Sequence, residues 1–326
     1  MKVGIKRKST YKQMALETAV RNPERYINIL SALKEFEGII LNDENLLKIV
    51  THLYKSEVFT SDKINISNLT SENEIRKKVI EVNETRRADG GFPSGYQSRF
   101  WTYMRTPSEL GFIFAQYGKE LIFSEIATKL INGEIDEQEA FSIQAIRFNR
   151  KSPYRNVSND FNFFRFIIEV LLKLKDEGRS LSYEQFIIAM FSNNGDVEEF
   201  LSIIKHTKFK DVKAAYNYAV SNFQATTKIQ TVTRDYPDVV RRVFIISGFI
   251  SIRYSGHKTI QINENKLKFI KELLQFEFKF SEKEKIDPLS YFNKLNSNNE
   301  KLLELIIKHR ASDKIDGNEY VNKIFE

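Results

Sequence analysis

The chain has 326 residues, enough for two or three domains and a sizeable core, and its 50 basic against 43 acidic side chains leave a net charge of +7. It has no cysteine, which excludes disulfides, cysteine-based zinc sites and thiol nucleophiles and fits a reducing cytoplasm. The charged N-terminus is followed by no apolar stretch of signal-peptide length, and no run of 18 apolar residues occurs, so neither export nor a membrane span is predicted.

The charge excess is modest for this length, and its distribution says more. Lys2, Lys6, Arg7, Lys8 and Lys12 precede the first acid, Glu17. Such a run suits an arm that tracks phosphates, or equally a solubilising tail. Helical periodicity begins at Pro23, with Tyr26, Ile29, Leu30 and Leu33 on one stripe that stops at Gly38. A second helix is predicted from Asn45 to Tyr54 and a charged third from Glu72 to Val82.

The stretch Arg86 to Arg105 comes next. It carries Arg86, Arg87, Arg99 and Arg105 against the single acid Asp89, and Phe92, Tyr96, Phe100, Trp101 and Tyr103 are threaded between them. Gly90, Gly91, Pro93 and Gly95 loosen its first half. Arginine forks match phosphate oxygens and guanine edges, Gln97 adds an amide, and aromatics stack or anchor. The alternative is a surface loop whose aromatics turn inward as a satellite core.

A compact unit follows. Gly111 to Ala115 reads as a short strand, Tyr117-Gly118-Lys119 as a turn and Leu121 to Phe123 as the returning strand, and Ser124 caps a helix that ends at Gly133. The pattern recurs at Gly248 to Tyr254, with the turn Ser255-Gly256-His257-Lys258, the strand Thr259 to Ile262 and a helix from Asn265 to Leu274. Both begin Gly-Phe-Ile and both turns carry cations, as in the hairpin of a winged helix. Between them lie five predicted helices: Glu139 to Phe148, Phe161 to Leu174, Tyr183 to Phe191, Asp196 to Lys205 and Lys210 to Phe223. The Phe161–Phe166 cluster reads as core. The stretch Thr226 to Arg234, with Lys228 and Arg234 and no acid, offers small hydroxyls and cations to a nucleic acid, or forms a plain solvent loop. Arg241 and Arg242 fall on the helix before the second hairpin. After Phe280 the chain turns polar and helical, like a linker.

The predicted fold is mostly α, of the α+β class, with two or three winged-helix-like units (helix-turn-helix with a β-hairpin) plus helical connectors. Residues 1–135 form a first such domain with its basic arm, 136–280 a helical region with the second, and 281–326 a helical linker. No catalytic or metal site is predicted. The histidines His52, His206, His257 and His309 are scattered, and no phosphate-binding glycine loop or nucleophile elbow occurs. The one combination resembling a metal-dependent nuclease is Asp238 with Glu277 and Lys279, but such short patterns are common by chance and Asp238 sits where a helix cap is expected.

The run Thr18-Ala-Val-Arg-Asn-Pro-Glu-Arg25, the helix after it and Phe36-Glu-Gly38 resemble the start of the AlwI-like type IIS restriction endonucleases and related nicking endonucleases. The order of arginine-rich segment, Gly-Phe hairpin, helical middle and second Gly-Phe hairpin is also similar, so that the likeness covers roughly residues 18 to 310. The resemblance implies a bacterial, cytoplasmic protein whose recognition region, related in architecture to that of FokI, reads a short asymmetric site in double-stranded DNA. Cleavage in such enzymes belongs to a C-terminal domain of the PD-(D/E)xK class. The chain ends at Glu326, in what would be the linker, which places the nuclease in a separate small subunit or a missing segment, with magnesium expected there and no cofactor in this chain. A degenerate gene is a third reading. Carried over residue by residue, DNA contact is expected from Arg21, Arg25, Arg86, Arg87, Gln97, Arg99, Arg105, Lys119, His257 and Lys258, with Lys228, Arg234, Arg241 and Arg242 added from the second unit. The rivals are a tandem winged-helix transcriptional regulator without nuclease activity, a self-sufficient enzyme using Asp238, Glu277 and Lys279, and a protein–protein scaffold.

Overall fold

The computed structural model describes residues 12–60, 64, 71–88, 95–155, 157–223, 228–255 and 257–310, and of 83–88, 255 and 257 it describes the backbone alone. Lys2, Lys6, Arg7 and Lys8 of the expected arm, and the residues Asp89 to Ser94, therefore lie outside it. Its described part is mostly helical with small antiparallel sheets, as expected of a mostly α, α+β chain.

The first unit opens with α1 (Arg25–Leu33), which buries the predicted stripe Tyr26, Ile29, Leu30 and Leu33. Gly38, at φ +81°, lets the chain turn into an extended segment, and Asn42 then caps α2 (Asp43–Lys55) by accepting from the Asn45 amide at 2.9 Å. The charged helix is longer than its pattern suggests and forms α3 (Glu72–Ala88). Gly95, expected to loosen the segment, instead begins α4 (Gly95–Glu109). Its aromatics account for that: Phe100 is fully buried and Tyr103 nearly so, and the inward pull of such rings outweighs the propensity cost of one helical glycine, about 1 kcal/mol. Then come β1 (Ile113–Phe114), β2 (Ile122–Phe123) and α5 (Glu125–Ile131), whose cap is Ser124. A connecting helix, α6 (Glu137–Arg147), starts on a capping box of Asp136 and Glu139.

The second unit comprises α7 (Phe163–Asp176), β3 (Leu181–Ser182), α8 (Tyr183–Ala189), α9 (Val197–His206), α10 (Val212–Phe223), α11 (Tyr236–Ile246), β4 (Ile250–Ser255), β5 (His257–Ile262) and α12 (Leu267–Leu273). The rings of Phe163, Phe164 and Phe166 are buried, as the core reading of that cluster expects. The Thr-rich stretch before α11 is not a loop beyond residue 228. Thr231–Asp235 is a π-helical turn that runs into α11. Pro237 explains it: a proline cannot donate to the carbonyl four residues back, Thr233, and the Tyr183 hydroxyl donates to that oxygen at 2.9 Å.

The two units share one connectivity. β5 lies between β3 and β4, giving the antiparallel order β3–β5–β4. In the first unit β2 pairs with β1 through Ile113 and Phe123, while its preceding residues bond the segment after Gly38. The Leu41 amide donates to the Lys119 carbonyl at 2.9 Å and the Leu121 amide to the Ile39 carbonyl at 3.0 Å. Strand residues point their amides alternately to either side, so β2 is again the middle strand. Where α4 and α11 stop, the hydrogen bonds match as well. Gly111 and Gly248 have φ +74° and +68°, and the following phenylalanine donates five residues back, Phe112 to Pro107 at 2.9 Å and Phe249 to Phe244 at 3.1 Å. The first residue after each hairpin then closes the ring, Ser124 to Phe112 and Asn263 to Phe249, both at 2.9 Å.

The polar stretch after Phe280 packs rather than dangles. In α13 (Pro288–Leu295) Tyr291 and Leu295 are fully buried, and the Tyr291 hydroxyl lies 3.2 Å from the carbonyls of both Glu109 and Asn149. A last helix, α14 (299–310), follows. Arg147, buried in α6, donates to Asn299 Oδ1 at 2.7 Å and to the Ser297 carbonyl at 3.0 Å; burial presses its guanidinium down to about 9. No helix among the described residues is long and apolar enough to cross a membrane.

A methyl group at Gly111 would meet Leu295 carbons at 2.8 Å, whereas at Gly118, with the same φ of +74°, it would meet nothing within 4 Å. Gly118→Ala should therefore cost only the left-handed penalty of about 1–2 kcal/mol. Gly111→Ala should add overpacking of about 1–3 kcal/mol. Urea midpoints of the two variants give the ordering.

Candidate nucleic-acid interface

Residues 12–21 lie in a seam between α4 and the start of α11. Gln13 Nε2 donates to the Val232 carbonyl at 2.8 Å and the Met14 amide to the Met190 carbonyl at 2.7 Å, both in the second unit. The Glu17 amide donates to Thr106 Oγ1 at 3.1 Å, in the first. Tyr26, packed at the same seam, has its hydroxyl pushed well above the ordinary tyrosine range by burial. The expected arm is thus rooted where the two units meet, with Lys12 exposed at its base.

Along this seam cations gather on a few carboxylates. Arg105 Nη1 lies 3.4 Å from Glu17 Oε2. Asp235 Oδ1 accepts from Arg21 Nη2 at 3.0 Å and from Arg234 Nε at 3.2 Å. One turn on, Asp238 Oδ1 accepts from Arg241 Nη2 at 2.8 Å and Oδ2 from Arg242 Nε at 3.0 Å. The Lys258 ammonium, from the second hairpin, sits 4.5 Å from the Tyr183 ring centre and 6.0 Å from that of Tyr254. Helix spacing explains the arrangement: Val239, Val240, Val243 and Phe244 turn α11 inward, which leaves Asp238, Arg241, Arg242 and Ile245 on the other side.

Burial tends to raise the Asp238 carboxyl, but hydrogen bonds from Arg241 and Arg242, with their charges, outweigh it and hold it below the ordinary carboxylate range. Lys258 is lowered, first by burial and then by Arg241, with Asp238 opposing. Arg21, Arg105, Arg234 and Arg242 are 41–59% exposed at their ends of these pairs, whereas Arg241 is 12% exposed and stays with Asp238. Six cations against three acids make a surface suited to a polyanion.

Other expected contacts stand apart from this seam. Arg99 donates to the Thr60 carbonyl, and its guanidinium lies 5.5–5.7 Å from the ring centres of Phe59, Tyr103 and Tyr54. Arg25 donates to the Val58 carbonyl at 3.3 Å. Both arginines therefore clamp the chain around residues 58–60 onto the first unit. Gln97 has its Oε1 buried without a partner. Lys119 is exposed at the first hairpin turn, on the side of Asp287 at the start of α13, and Lys228 is exposed before the π-turn. The side chains of Arg86, Arg87 and His257 lie outside the described residues. Asp238 is not a helix cap, because α11 continues from the π-turn before it. Nor is it free to ligate: its two oxygens serve the arginines, while Glu277 pairs with Lys279 at 3.2 Å. Among the described residues no group of three His, Asp or Glu side chains is placed to hold a metal ion. Sequence reasoning missed Glu17 and Asp235 as organisers of the surface, since their partners are 88 and 214 positions away.

The family model of the AlwI restriction endonuclease matches residues 108–319 of this chain. No curated protein matches it. Among solved structures, the chain is similar to one described as pyrene- and phenanthrene-modified DNA in complex with the BpuJ1 endonuclease binding domain. The two share 14% identity and a TM-score of 0.45 over 80% of this chain and 96% of that one.

Arg99→Ala removes a charged hydrogen bond and the ring contacts, and should lower stability by about 1–3 kcal/mol. DNA affinity per folded molecule should change little. Urea unfolding together with gel shifts at saturating folded protein separates the two effects.

Proposed function

This chain belongs to the AlwI restriction endonuclease family, and from that premise we propose that its described part is a reader of double-stranded DNA. The site read is short and asymmetric, and the enzyme served is of the type IIS restriction or nicking kind. The observation that carries the reading is the cationic seam along α4 and α11, two helices at equivalent places in two units of like connectivity. Helix, strand, helix, helix and hairpin in the order β3–β5–β4 is the arrangement of a winged helix, with α9 and α10 inserted in the second unit and α3 in the first. In that arrangement the helix before the hairpin enters the major groove and the hairpin lies along the backbone. Two readers with different side chains in one polypeptide suit a site without two-fold symmetry, whereas a dimeric regulator suits a palindrome.

Phosphodiester cleavage is assigned to a metal-dependent nuclease domain or subunit outside residues 12–310, and magnesium to that part. Lys228 and Lys258 take backbone phosphates in this reading, assisted by the arm of Lys2, Lys6, Arg7 and Lys8. Random-site selection with the purified chain should return one asymmetric sequence bound by a monomer. Lys228→Ala and Lys258→Ala should weaken specific and non-specific binding alike, each lowering the slope of log affinity against log salt by about 0.9. Absence of any enriched sequence, or a palindrome bound by a dimer, would overturn the reading.

A further inference from the structure

The cations of the second unit are not equivalent. Arg241 has only 12% of its side chain exposed and is committed to Asp238 by a terminal nitrogen. Arg242 is 41% exposed and is tied through Nε alone, 3.0 Å from Asp238 Oδ2. Its two terminal nitrogens have no hydrogen-bond partner among the described residues. A guanidinium held by Nε presents those nitrogens outward as a fixed two-pronged donor. Arg241, on the other oxygen, keeps the carboxylate oriented and ionised.

Two acceptors in a DNA duplex suit such a fork: a phosphate and the O6/N7 edge of guanine. The carboxylate behind the fork separates them. A phosphate on the outward nitrogens would approach Asp238 as a like charge, whereas the guanine edge is neutral and keeps its full attraction. Ordering the arginine beforehand also removes part of the side-chain entropy that binding would otherwise cost.

Resting on the DNA-reading assignment above, we propose that Arg242 reads a guanine in the major groove and that Asp238 is the positioning residue that fixes its fork. The first unit repeats the position with a different tie. Arg105 stands six positions before Gly111 as Arg242 does before Gly248, is 45% exposed and meets its own carboxylate, Glu17, through Nη1 at 3.4 Å. Lys258, seated between Tyr183 and Tyr254 on the hairpin, has no acid bound directly to it among the described residues and takes the neighbouring phosphate. In the second unit a carboxylate thus stands behind Arg242 and none behind Lys258.

The test uses the whole chain and the sequence that wild type selects. Each guanine in that sequence is replaced in turn by 7-deazaguanine, which lacks only the N7 acceptor. Arg242→Ala should lower specific affinity about 5- to 150-fold, leave non-specific affinity and the salt slope near wild type, and become insensitive to 7-deazaguanine at one position. Arg242→Lys keeps the charge but loses the fork, and should show the same loss of discrimination; a thermal melt confirms its fold. Asp238→Asn should raise non-specific affinity while discrimination at that same guanine falls, and Asp238→Glu should restore part of it. A phosphate role would instead show as a slope reduced by about 0.9 with all sequences weakened equally, and that overturns the proposal. Wild type that selects no sequence overturns the function itself. Wild type that selects while Arg242→Lys selects equally well overturns this assignment alone.

Discussion

The geometry of this protein depends on a backbone constraint met twice: a long helix must stop, reverse and enter a strand within three residues. Only a residue at positive φ does this without strain, and Gly111 and Gly248 supply it. Each stop aims one helix and one hairpin in a set relation, closed by the Phe112–Ser124 and Phe249–Asn263 backbone bonds. Neither glycine has space for a side chain, since Leu295 fills one site and Gln138 the other. Leu295 and Gln138 belong to α13 and α6, so the connecting helices are packed against the corners of both units. A buried pair, Arg155 with Glu109 at the end of α4, ties the connector to the first corner, with the carboxylate fully buried. A charge buried to that degree demands its partner, which keeps the connector in place.

From those two corners the rest of the surface follows. With the helix ends fixed, residues 12–21 bridge α4 and α11, and their Glu17 and Arg21 carry the ion pairs across the seam. Carboxylates within a cationic surface look counterproductive for a polyanion ligand. In the proposed reading their effect is to sort the cations: Arg242, held in one orientation by Asp238, takes a base edge, while Lys258 takes a phosphate. On that proposal affinity and discrimination fall to different side chains, and the salt dependence of binding belongs mainly to the former.

Much of the fold was legible because it rests on local rules. The stripe of α1, the cap at Ser124 and the Gly-Phe-Ile hairpins depend on neighbours a few residues away, and the structure has them where the pattern places them. Gly95 and the Thr-rich stretch before Arg234 misled for a common reason. Their composition is that of loops, yet burial of Phe100 and Tyr103 in one case, and of Val232 with the Tyr183–Thr233 bond in the other, holds them in helix. The site was legible in kind but not in detail. Arginine density marked the helices that carry the cationic seam, while Arg99 and Arg25 carried the same signal and clamp the chain around residues 58–60.

The sequence alone determined the class of the protein, because charge, helical period, the twin hairpins and the AlwI-type N-terminal run are properties of short stretches. Tertiary structure decided what each arginine meets. Whether a guanidinium meets a carbonyl, an aromatic ring, a carboxylate or open solvent depends on residues up to 214 positions away, as between Arg21 and Asp235. Folding alone brings such partners together, and no local pattern of residue types encodes that distance.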